Sequence, residues 1–594
     1  MCGIYGVINR KVRREQAMEC LDTMIHRGPD GFGLWQEDGV TLGHRRLAIL
    51  DLSSAGSQPM SYANERYWMT FNGEIYNFIE IREELQHKGY TFRGNSDSEV
   101  IMAAYCEWKE KCVDRFNGMW TFAIWDRQEK SLFLSRDRFG VKPLYYTEFP
   151  DGGFAFASEM KALLPLLEKV EPNKEMFDRY FADNHYESQP ECLIKGIKRF
   201  PAGSYAWIRN GKTEITRFWN TLDHLIEVPD TYEEQVEQFR ELFLDACKIR
   251  MRSDVTLGTG LSGGLDSSAT ICAMSYISRN CADERANKDW QHAYVACFPG
   301  TDLDETKYAK QVTDYLGIRH TFLTIDDAVP EREFLRQLYC FEELWGNPQV
   351  PMMELYKKER ELGTTVSLDG HAADELFAGY GFDVLKAYPD AKGKAEIDQI
   401  TMAYLNQRSE MGYDPSSAEF KRQRNKLYRD YMTKYYAKKL LGRADVSSAY
   451  ADHPNWKKLD NLNKVLFVST HETILPTLLR NYDRDSMASG VEIRMPFLDY
   501  RIVEFAFSIG WKSKLHGGFS KSIVRDACAD FMPHDIAYRR TKLGFNAPIL
   551  DWMRGPYRQF FEDTVADPAF ANCSLIDDAA GVRADLAKFL NGEN

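Results

Sequence analysis

The chain has 594 residues, and its 88 acidic and 75 basic side chains give a formal net charge of −13. At roughly 150 residues per domain, this length exceeds a single core and fits two or three domains. The acidic balance disfavours a general nucleic-acid binder, and a composition of 44% hydrophobic and 27% charged residues excludes a disordered chain.

Neither a membrane span nor a secretory signal is visible in the sequence. No stretch approaches the ~18 uninterrupted apolar residues of a spanning helix, and the first charges follow a short apolar run, the reverse of a signal peptide. We therefore expect a cytoplasmic protein without a membrane partner. The 12 cysteines are spread thinly without CxxC spacing, which disfavours a disulfide framework or a structural zinc site.

Short alternating strands separated by Gly, Asn, Asp and Pro turns characterise the chain up to about residue 220. The predicted strands are CGIYGVI, RYWMTF, WTFAIWD, SLFLSRD, PLYY and GFAFAS, and a helix is predicted over Phe78 to His87. The pattern predicts largely antiparallel sheet with a few helices.

The pattern changes after the polar stretch that ends near residue 232. EEQVEQFRELFLDACKIRM has a helical period, whereas VTL, AYVAC and TTVSL are short apolar strands. Such alternation is typical of a parallel sheet with crossover helices. We place a boundary near 221–231, which gives domains 1–222 and 223–594, and interpret the charged, tyrosine-rich segment 392–458 as an added helical layer.

Cys2 is a candidate nucleophile, because the initiator methionine is commonly removed before a small residue. The mature chain would then carry a thiol and a free α-amine on one residue. Their reference pKa values, near 8.5 and near 7.7 to 8.0, allow the amine to take the thiol proton around neutral pH. A cysteine at this position is weak evidence until its context is included.

Four motifs give that context: HRGPDGFG (26–33), GHRRLAILD (43–51), FNGEIYN (71–77) and GNSDSEV (94–100). Together with MCGIYG they resemble the class II glutamine amidotransferase domain over most of residues 1–200. The resemblance implies an Ntn-type antiparallel β-sandwich layered with helices. It implies that Cys2 is the nucleophile and that Asn72 with the Gly73 backbone forms the oxyanion hole. The implied glutamine contacts are Arg46, Asn72, Gly73, Glu74 and Asp97.

These assignments suit the chemistry of amide hydrolysis. Attack on the glutamine amide places negative charge on oxygen, which a side-chain amide and a backbone N–H can stabilise. Arg46 can hold the α-carboxylate through two parallel hydrogen bonds, and Asp97 can hold the α-ammonium. Two alternatives stay open, since Arg45 adjoins Arg46 and Asp97 could instead cap a helix within SDSE.

A glycine-rich segment, GTGLSGGLDSSATICAM, leads from a strand into a helix predicted to begin near Ser267. Backbone N–H groups at such a turn suit oxyanions. GLSGG fits the α/β-hydrolase elbow with Ser262 as nucleophile, whereas SGGLDSS resembles the pyrophosphate loop of enzymes that transfer AMP. We favour the second interpretation, because Asp266 inside the loop makes sense beside phosphates only with Mg²⁺ between them.

The sequence contains no Walker A motif. Gly211, Lys212 and Thr213 look like its tail, but Ala206 stands where the motif needs glycine. We therefore expect ATP to be split between its α- and β-phosphates, giving AMP and pyrophosphate. A serine hydrolase that uses Ser262 without ATP is the alternative of a different class.

LDGHAADELFAGY (368–380), the segment 478–501 and YRRTKLGFNAPILDWM (538–553) extend the resemblance to the glutamine-hydrolysing asparagine synthetases over nearly the whole chain. The resemblance implies a C-terminal ATP-pyrophosphatase-like α/β domain, ATP as a substrate, Mg²⁺, a carboxylate acceptor and a homodimer. The implied contacts for ATP and pyrophosphate are Leu261, Ser262, Gly263, Gly264, Asp266, Ser267, Ser268 and Lys521. The implied metal ligands are Asp266 and Asp374, and the implied catalytic residues are Lys542, facing the α-phosphate, and Glu343 or its neighbour Glu342, acting on ammonia.

In the implied reaction, ammonia released at Cys2 travels through a sheltered passage and attacks an acyl-adenylate. The identity of the carboxylate acceptor is left open. Typical asparagine synthetases read GEGSDE where this chain reads GHAADE, at 370–375. Aspartate is the first candidate. The alternative is another carboxylate, such as a sugar uronate of surface-polysaccharide synthesis, which His371 could contact; His371 could equally be an ordinary hydrogen-bonded histidine.

Overall fold

A computed structural model describes residues 2–281, 285–325, 329–344, 350–443, 445–541 and 548–593. Lys542, the predicted contact of the α-phosphate, lies outside the described residues, as does Met1. Every structural statement below concerns the described residues.

Two antiparallel sheets build the N-terminal domain. Its strands are β1 (Gly3–Ile8), β2 (Gly31–Glu37), β3 (Val40–Arg46), β4 (Met60–Tyr62), β5 (Tyr67–Ile75), β6 (Gly118–Asp126), β7 (Ser131–Arg136), β8 (Tyr145–Glu148), β9 (Phe154–Ala157), β10 (Lys198–Arg199), β11 (Ser204–Arg209) and β12 (Lys212–Arg217). In the described chain, one sheet has the order β10-β8-β9-β1-β3-β2 and the other the order β12-β11-β7-β6-β5-β4.

The two sheets pack face to face, and helices cover their outer faces. Ile4 and Leu42 of the first sheet share a buried cluster with Ala123 and Leu134 of the second, because alternate side chains of each strand point to this layer. The helices are α1 (Arg14–Asp22), α2 (Phe78–His87), α3 (Asp97–Trp108), α4 (Cys112–Arg115) and α5 (Lys174–Asp183). The predicted antiparallel sandwich layered with helices is confirmed.

A parallel sheet forms the centre of the C-terminal domain. Its strands are β13 (Leu257–Gly260), β14 (His292–Cys297), β15 (Arg319–Thr324), β16 (Val366–Leu368) and β17 (Glu492–Arg494). Within the described ranges the order is β15-β14-β13-β16-β17, with each neighbouring pair parallel. The predicted parallel α/β domain is confirmed. Ligands of such sheets bind beyond the carboxyl ends of the strands, and β13 leads there into the glycine-rich segment.

The remaining helices pack around this sheet and extend beyond it. They are α6 (Tyr232–Arg250), α7 (Leu265–Asn280), α8 (Thr306–Leu316), α9 (Glu331–Phe341), α10 (Val350–Glu361), α11 (Ala373–Phe377), α12 (Gly381–Val384), α13 (Lys394–Asn406), α14 (Ala418–Leu440), α15 (Asn461–His471), α16 (Ile474–Met487), α17 (Tyr500–Ser508), α18 (Trp511–Lys514), α19 (Ser522–Cys528), α20 (His534–Ala537), α21 (Ile549–Arg554), α22 (Arg558–Ala566), α23 (Pro568–Ala571) and α24 (Ala579–Leu590). Segment 392–458 is helical as predicted, and α14 buries Phe420 and Met432 against its neighbours.

The two domains share buried surface. Tyr76 and Met119 of the N-terminal domain belong to the same hydrophobic cluster as Phe243 and Leu257 of the C-terminal domain. The predicted boundary falls in a short 3₁₀ helix, Thr221–His224, that precedes α6. None of the helices in the described ranges has both the length and the hydropathy that a membrane crossing requires.

Candidate active sites

Cys2 lies directly before β1, next to the strand that carries Asn72. Its backbone nitrogen donates a hydrogen bond to Asn72 Oδ1 at 2.9 Å, and its Sγ lies 3.8 Å from the Leu47 carbonyl oxygen. Burial raises the pKa of the Cys2 thiol above its ordinary value. The thiolate therefore needs a base close by in order to form.

The predicted oxyanion hole lies within reach of Cys2. Asn72 is fully buried, and its Nδ2 has no hydrogen-bond partner among the described residues. Gly73 follows with φ +153°, and a Cβ there would lie 2.1 Å from the Met119 carbonyl oxygen, so no other residue fits this backbone. A buried amide donor without a partner is costly, which makes it a suitable donor for an oxyanion.

Arg46 and its neighbour Arg45 point to opposite sides of β3, as successive strand residues do. Arg46 donates to the carbonyl oxygens of Asp51 and Ser53, at 2.5 and 2.9 Å, and its charge acts on Cys2. Arg45 instead donates to the Leu21 carbonyl oxygen at the end of α1. The geometry favours Arg46 over Arg45 as the predicted contact of the glutamine α-carboxylate, and that role stays a prediction.

Asp97 opens α3 but does not cap it. The N-cap is Ser96, whose side chain accepts from the Glu99 N–H, so the capping interpretation of Asp97 is wrong. Asp97 Oδ2 accepts from the Ile75 N–H at 2.9 Å. Burial, opposed by that hydrogen bond and reinforced by the Glu492 carboxylate, raises the pKa of Asp97 to about 7.

Two residues of β17, which belongs to the C-terminal sheet, lie beside Glu74 and Asp97, two of the predicted glutamine contacts. Arg494 donates to Glu492 Oε1 at 2.7 Å, and its Nη2 lies 3.4 Å from Glu74 Oε1. Burial and the Asp97 charge raise the pKa of Glu74. Sequence reasoning missed Glu492 and Arg494; the available signal was a pair of charges inside the otherwise apolar stretch VEIRMPF.

Arg27 connects Cys2 to the C-terminal domain. Its side chain is completely buried; Nε donates to the Cys2 carbonyl oxygen at 3.1 Å, and Nη1 donates to Glu159 at 2.9 Å. The two terminal nitrogens also bind Asp483 of α16 at 2.7 and 2.9 Å. Such a bidentate pair fixes orientation as well as charge, so the Cys2 backbone is tied directly to α16.

Glu342 and Glu343 both reach the N-terminal domain. Glu342 accepts from the N–H groups of 160–161, at 2.8 and 3.0 Å, and from Arg484 at 2.7 Å. Glu343 accepts from the Tyr145 hydroxyl at 2.8 Å, and burial raises its pKa. The action of Glu343 or Glu342 on ammonia stays a prediction.

The glycine-rich segment forms a tight turn at the carboxyl end of β13. Gly263 has φ +76°, and the Ser262 Oγ accepts from the Gly264 N–H at 3.2 Å. The helix α7 begins at Leu265, two residues before the predicted start. Asp266 therefore lies in the first helical turn rather than in the loop, because Gly264 takes an extended N-cap conformation.

The other predicted pyrophosphate contacts are grouped around this turn. The Ser267 Oγ lies 3.1 Å from the Ser262 Oγ, and the Ser268 Oγ is buried without a hydrogen-bond partner in the part of the chain described. The Leu261 N–H is already donated to the Tyr294 carbonyl oxygen at 2.8 Å. Ser262 and Ser267 thus present hydroxyls at the helix N-terminus, and the contact of Leu261 with ATP stays a prediction.

Lys521 joins the two predicted metal ligands. Its Nζ lies 2.5 Å from Asp266 Oδ2 and also contacts Asp374 Oδ1. Burial favours the neutral amine, but the two carboxylates raise the pKa of Lys521 above its ordinary value, so it is an ammonium. The structure therefore brings together Asp266, Asp374 and Lys521 as the sequence predicts.

The donor set fits a magnesium ion that arrives with a nucleotide. Across the described residues, no three His, Cys, Asp or Glu side chains form a metal-binding group. Mg²⁺ typically takes one or two protein carboxylates and completes its shell with phosphate oxygens and water. Asp266 and Asp374 would supply those two carboxylates, and Asp266 Oδ1 has no hydrogen-bond partner within the described ranges.

Comparison with known proteins identifies both halves. A glutamine amidotransferase domain model matches residues 1–219, and an asparagine synthase model matches residues 238–586. The chain belongs to the asparagine synthase family. Asparagine synthetase [glutamine-hydrolyzing] 1 of Bacillus subtilis (strain 168) is 30% identical, over 96% of this chain and 90% of the relative.

Other relatives agree with this membership. Asparagine synthetase [glutamine-hydrolyzing] 3 of the same organism is 32% identical over 91% of this chain and 86% of its own. Asparagine synthetase B [glutamine-hydrolyzing] of Escherichia coli (strain K12) is 28% identical over 91% and 81%. As a member of the asparagine synthase family, the protein is a glutamine-dependent carbon–nitrogen ligase, and this family uses ATP as a substrate.

Proposed function

We propose that this ligase converts aspartate, glutamine and ATP into asparagine, glutamate, AMP and pyrophosphate. Residues 1–222 hydrolyse glutamine and residues 223–594 make the amide. One observation carries the second assignment: Lys521 joins Asp266, in the first turn of α7, to Asp374, in the first turn of α11. The names of the relatives support aspartate as the acceptor.

Removal of Met1 is part of the proposal, because it turns the Cys2 backbone nitrogen into an α-amine. That nitrogen is held by Asn72 Oδ1 at 2.9 Å, beside the thiol on the same residue. An amine so placed can take the thiol proton. It answers the need for a base that burial of the thiol creates.

The Cys2 thiolate then attacks the amide carbon of glutamine. Negative charge forms on the carbonyl oxygen, where Asn72 Nδ2 and the Gly73 N–H stabilise it. The carbon–nitrogen bond breaks, the departing nitrogen takes up a proton, and water hydrolyses the thioester to glutamate. Arg46 holds the α-carboxylate of glutamine, and Asp97 holds its α-ammonium.

In the other half, an acceptor carboxylate oxygen attacks the α-phosphorus of ATP, and the bond to pyrophosphate breaks. The N–H groups at the start of α7 suit the pyrophosphate, and Lys521 adds a fixed positive charge. Asp266 and Asp374 would hold Mg²⁺, which when bound neutralises phosphate charge. Lys542 would add a second cation at the α-phosphate, and that role remains a prediction.

Ammonia must reach the adenylate before it becomes ammonium, which has no lone pair to attack with. It then attacks the acyl carbon, AMP leaves, and the nitrogen loses a proton. The contacts of Arg27 with the Cys2 carbonyl oxygen and with Asp483 support a sheltered route along α16, since they are buried between the two domains.

A second acceptor class, carboxylates other than aspartate such as sugar uronates, is favoured by one observation. His371 stands in the loop beside the nucleotide site where typical asparagine synthetases carry glutamate. A cationic or neutral donor in place of a carboxylate changes which groups of an acceptor can be paired.

A panel of carboxylates with ATP, Mg²⁺ and glutamine tests the proposed function, with AMP and the amide as the measured products. Aspartate should give asparagine and AMP in equal amounts, with one glutamate released for each. Amide formation from a sugar acid with none from aspartate would overturn the aspartate assignment. Turnover of simple esters without ATP, lost on Ser262→Ala, would instead favour the hydrolase.

Cys2→Ala separates the two halves of the reaction. Synthesis driven by glutamine should disappear, whereas synthesis driven by added ammonia should continue at a rate within about two-fold of that of the unaltered enzyme. Cys20→Ala is the matched control, because Cys20 is a buried thiol of α1 in the same domain. Loss of both nitrogen sources in Cys2→Ala would contradict the two-site division.

A further inference from the structure

The helix α14 carries a charge opposite to that of the chain as a whole and has no part in the mechanism above. Its 23 residues include eight lysines and arginines against two acidic side chains, whereas the whole chain has a net charge of −13. At 1.5 Å per residue the helix is about 34 Å long. It is therefore a long basic element on an acidic protein.

The fold uses one face of α14. Phe420 and Met432 are buried, and the rings of Tyr428 and Tyr431 pack edge-on against Tyr388. These spacings are those of a single helix face. The opposite side of the helix is exposed, and it presents Lys421, Arg422, Lys426, Arg429, Lys434, Tyr436, Lys438, Lys439 and Leu440.

Most of the cations on this exposed face are not neutralised by the protein. The ion pairs that α14 forms with described residues involve Arg424, Arg429 and Lys438, and the partner of Arg429 is its exposed neighbour Asp430. The other five basic side chains of the helix form no ion pair within the described ranges. Like charges so closely spaced repel one another, so an anionic partner would relieve that repulsion.

The carboxyl end of the same face is apolar. Leu440 and Leu441 are 89% and 69% exposed, and Tyr436, one turn earlier, is 59% exposed. A single exposed leucine is ordinary on a protein surface, but two consecutive leucines beside an aromatic ring form a patch that a partner can bury. The partner that fits this face offers negative charge along the helix and an apolar region at its end.

An anionic lipid bilayer offers both at one surface. Basic side chains of a surface helix bind the headgroup phosphates, and its leucines enter the boundary with the acyl chains. A nucleic acid would match the charge but would leave the leucines in water. The sequence-based expectation of no membrane partner rested on the lack of a spanning segment, and a helix that lies on a bilayer needs no such segment.

We propose that the exposed face of α14 docks the enzyme on bilayers that contain anionic phospholipid. The lysines and arginines lie at the headgroups, and Leu440 and Leu441 insert below them. The candidate active sites lie on other elements, so docking does not depend on which carboxylate the enzyme amidates.

Co-sedimentation of the full chain with lipid vesicles tests the proposal. The protein should bind vesicles of mixed phosphatidylcholine and phosphatidylglycerol and should not bind vesicles of phosphatidylcholine alone. Because the attraction is electrostatic, binding should weaken by about 10-fold or more when salt is raised from about 0.05 M to about 0.5 M. Absence of binding to the anionic vesicles at low salt would refute the proposal.

A variant with four neutralised cations tests the role of α14 itself: Arg422→Gln, Lys426→Gln, Lys434→Gln and Lys439→Gln together. Its affinity for anionic vesicles should fall by about 30-fold or more, while AMP formation with added ammonia stays within about two-fold and reports that the protein is folded.

The matched control removes the same number of charges from exposed lysines on other elements: Lys11→Gln, Lys169→Gln, Lys195→Gln and Lys512→Gln. Its vesicle binding should change by less than about two-fold. Equal losses in the two variants would show that binding follows net charge alone and would overturn the assignment to α14.

Leu440→Ser with Leu441→Ser separates a bilayer from other polyanions. Vesicle binding should fall by about 10-fold or more, because the inserted apolar groups are lost, and any binding of a mixed-sequence RNA should be unaffected. RNA bound more tightly than anionic vesicles, with vesicle binding that the leucine variant leaves unchanged, would make the face a nucleic-acid surface and would contradict membrane docking.

Discussion

The two candidate sites each contain a buried cation among carboxylates, but the balance of charge differs. Beside Cys2, Arg494 contacts Glu74 and Glu492, and Asp97 lies near enough for Glu492 to help raise its pKa to about 7. At the nucleotide site, one lysine meets two carboxylates. The first group is fully enclosed and has three carboxylates for one cation, whereas the second has two carboxylates for one cation.

The difference in cation matters because arginine and lysine behave differently when buried. Arg494 is permanently charged and donates to Glu492 and to the carbonyl oxygens of Arg250 and Arg252. Its ion pair with Glu74 joins this group to the N-terminal domain. Lys521 is a compact point charge between Asp266 and Asp374, whose side chains are 18% and 19% exposed. We infer that the glutamine pocket is rigid, whereas at the nucleotide site the partly exposed carboxylates can exchange Lys521 for another cation.

Lys521→Met should have the largest effect, because it leaves Asp266 and Asp374 facing phosphate without a protein cation. We expect AMP formation with added ammonia to fall by about 100-fold or more, while glutamate release stays within about two-fold. Lys512→Met is the control, since Lys512 is an exposed lysine of α18. Unchanged AMP formation in Lys521→Met would show that the lysine is structural only.

Arg494→Met should disrupt the buried group of Arg494, Glu74 and Glu492 and lower the stability of the protein. Removing one partner of a buried ion pair costs about 3–5 kcal/mol, so the free energy of unfolding in urea should fall by that order, with loss of glutaminase activity. Arg494→Lys should lose less. Arg429→Met, at a side chain that is 74% exposed, should change the free energy by less than about 1 kcal/mol; equal losses would contradict the comparison.

Sequence patterns predicted the fold where the signal is local. The helix Phe78–His87 begins and ends as predicted, and each predicted strand overlaps an observed one. β2 (Gly31–Glu37) was not predicted, because two glycines and a mixed polar sequence hide its alternation. β17 (Glu492–Arg494) was missed for the opposite reason, since two of its three residues are charged and yet buried.

The candidate sites divide in the same way. Asn72, Asp266 and Lys521 were predicted, because each lies in a motif whose chemistry can be read from its neighbours. The role of Arg494 could not be predicted from the sequence, because its partner Glu74 is hundreds of residues away. Only the packing of the two domains brings the two side chains together. Its role follows from the fold rather than from any local pattern.

The pH dependence of glutamine binding is the most sensitive test of the enclosed group and has the smallest expected effect. Because the pKa of Asp97 is raised from 3.8 to about 7, the carboxylate is largely protonated below pH 7 and ionised above it. The KM for glutamine should therefore fall by several-fold as pH rises through about 7, since only the ionised form pairs with the α-ammonium. By the same shift, the native state holds a proton on Asp97 that the unfolded chain has lost between pH 3.8 and about 7. The contribution of Asp97 to the free energy of unfolding is therefore fully present below pH 3.8 and is lost as pH rises through about 7.

Glu492→Gln separates this titration from any other near pH 7. Removing the Glu492 charge should lower the pKa of Asp97, since that carboxylate is one of the groups that raise it. The fall in the KM for glutamine should then occur at lower pH, while the KM for ATP shows no such shift. A glutamine KM that is flat between pH 6 and about 8, or a transition that Glu492→Gln leaves in place, would mean that Asp97 does not carry the ammonium.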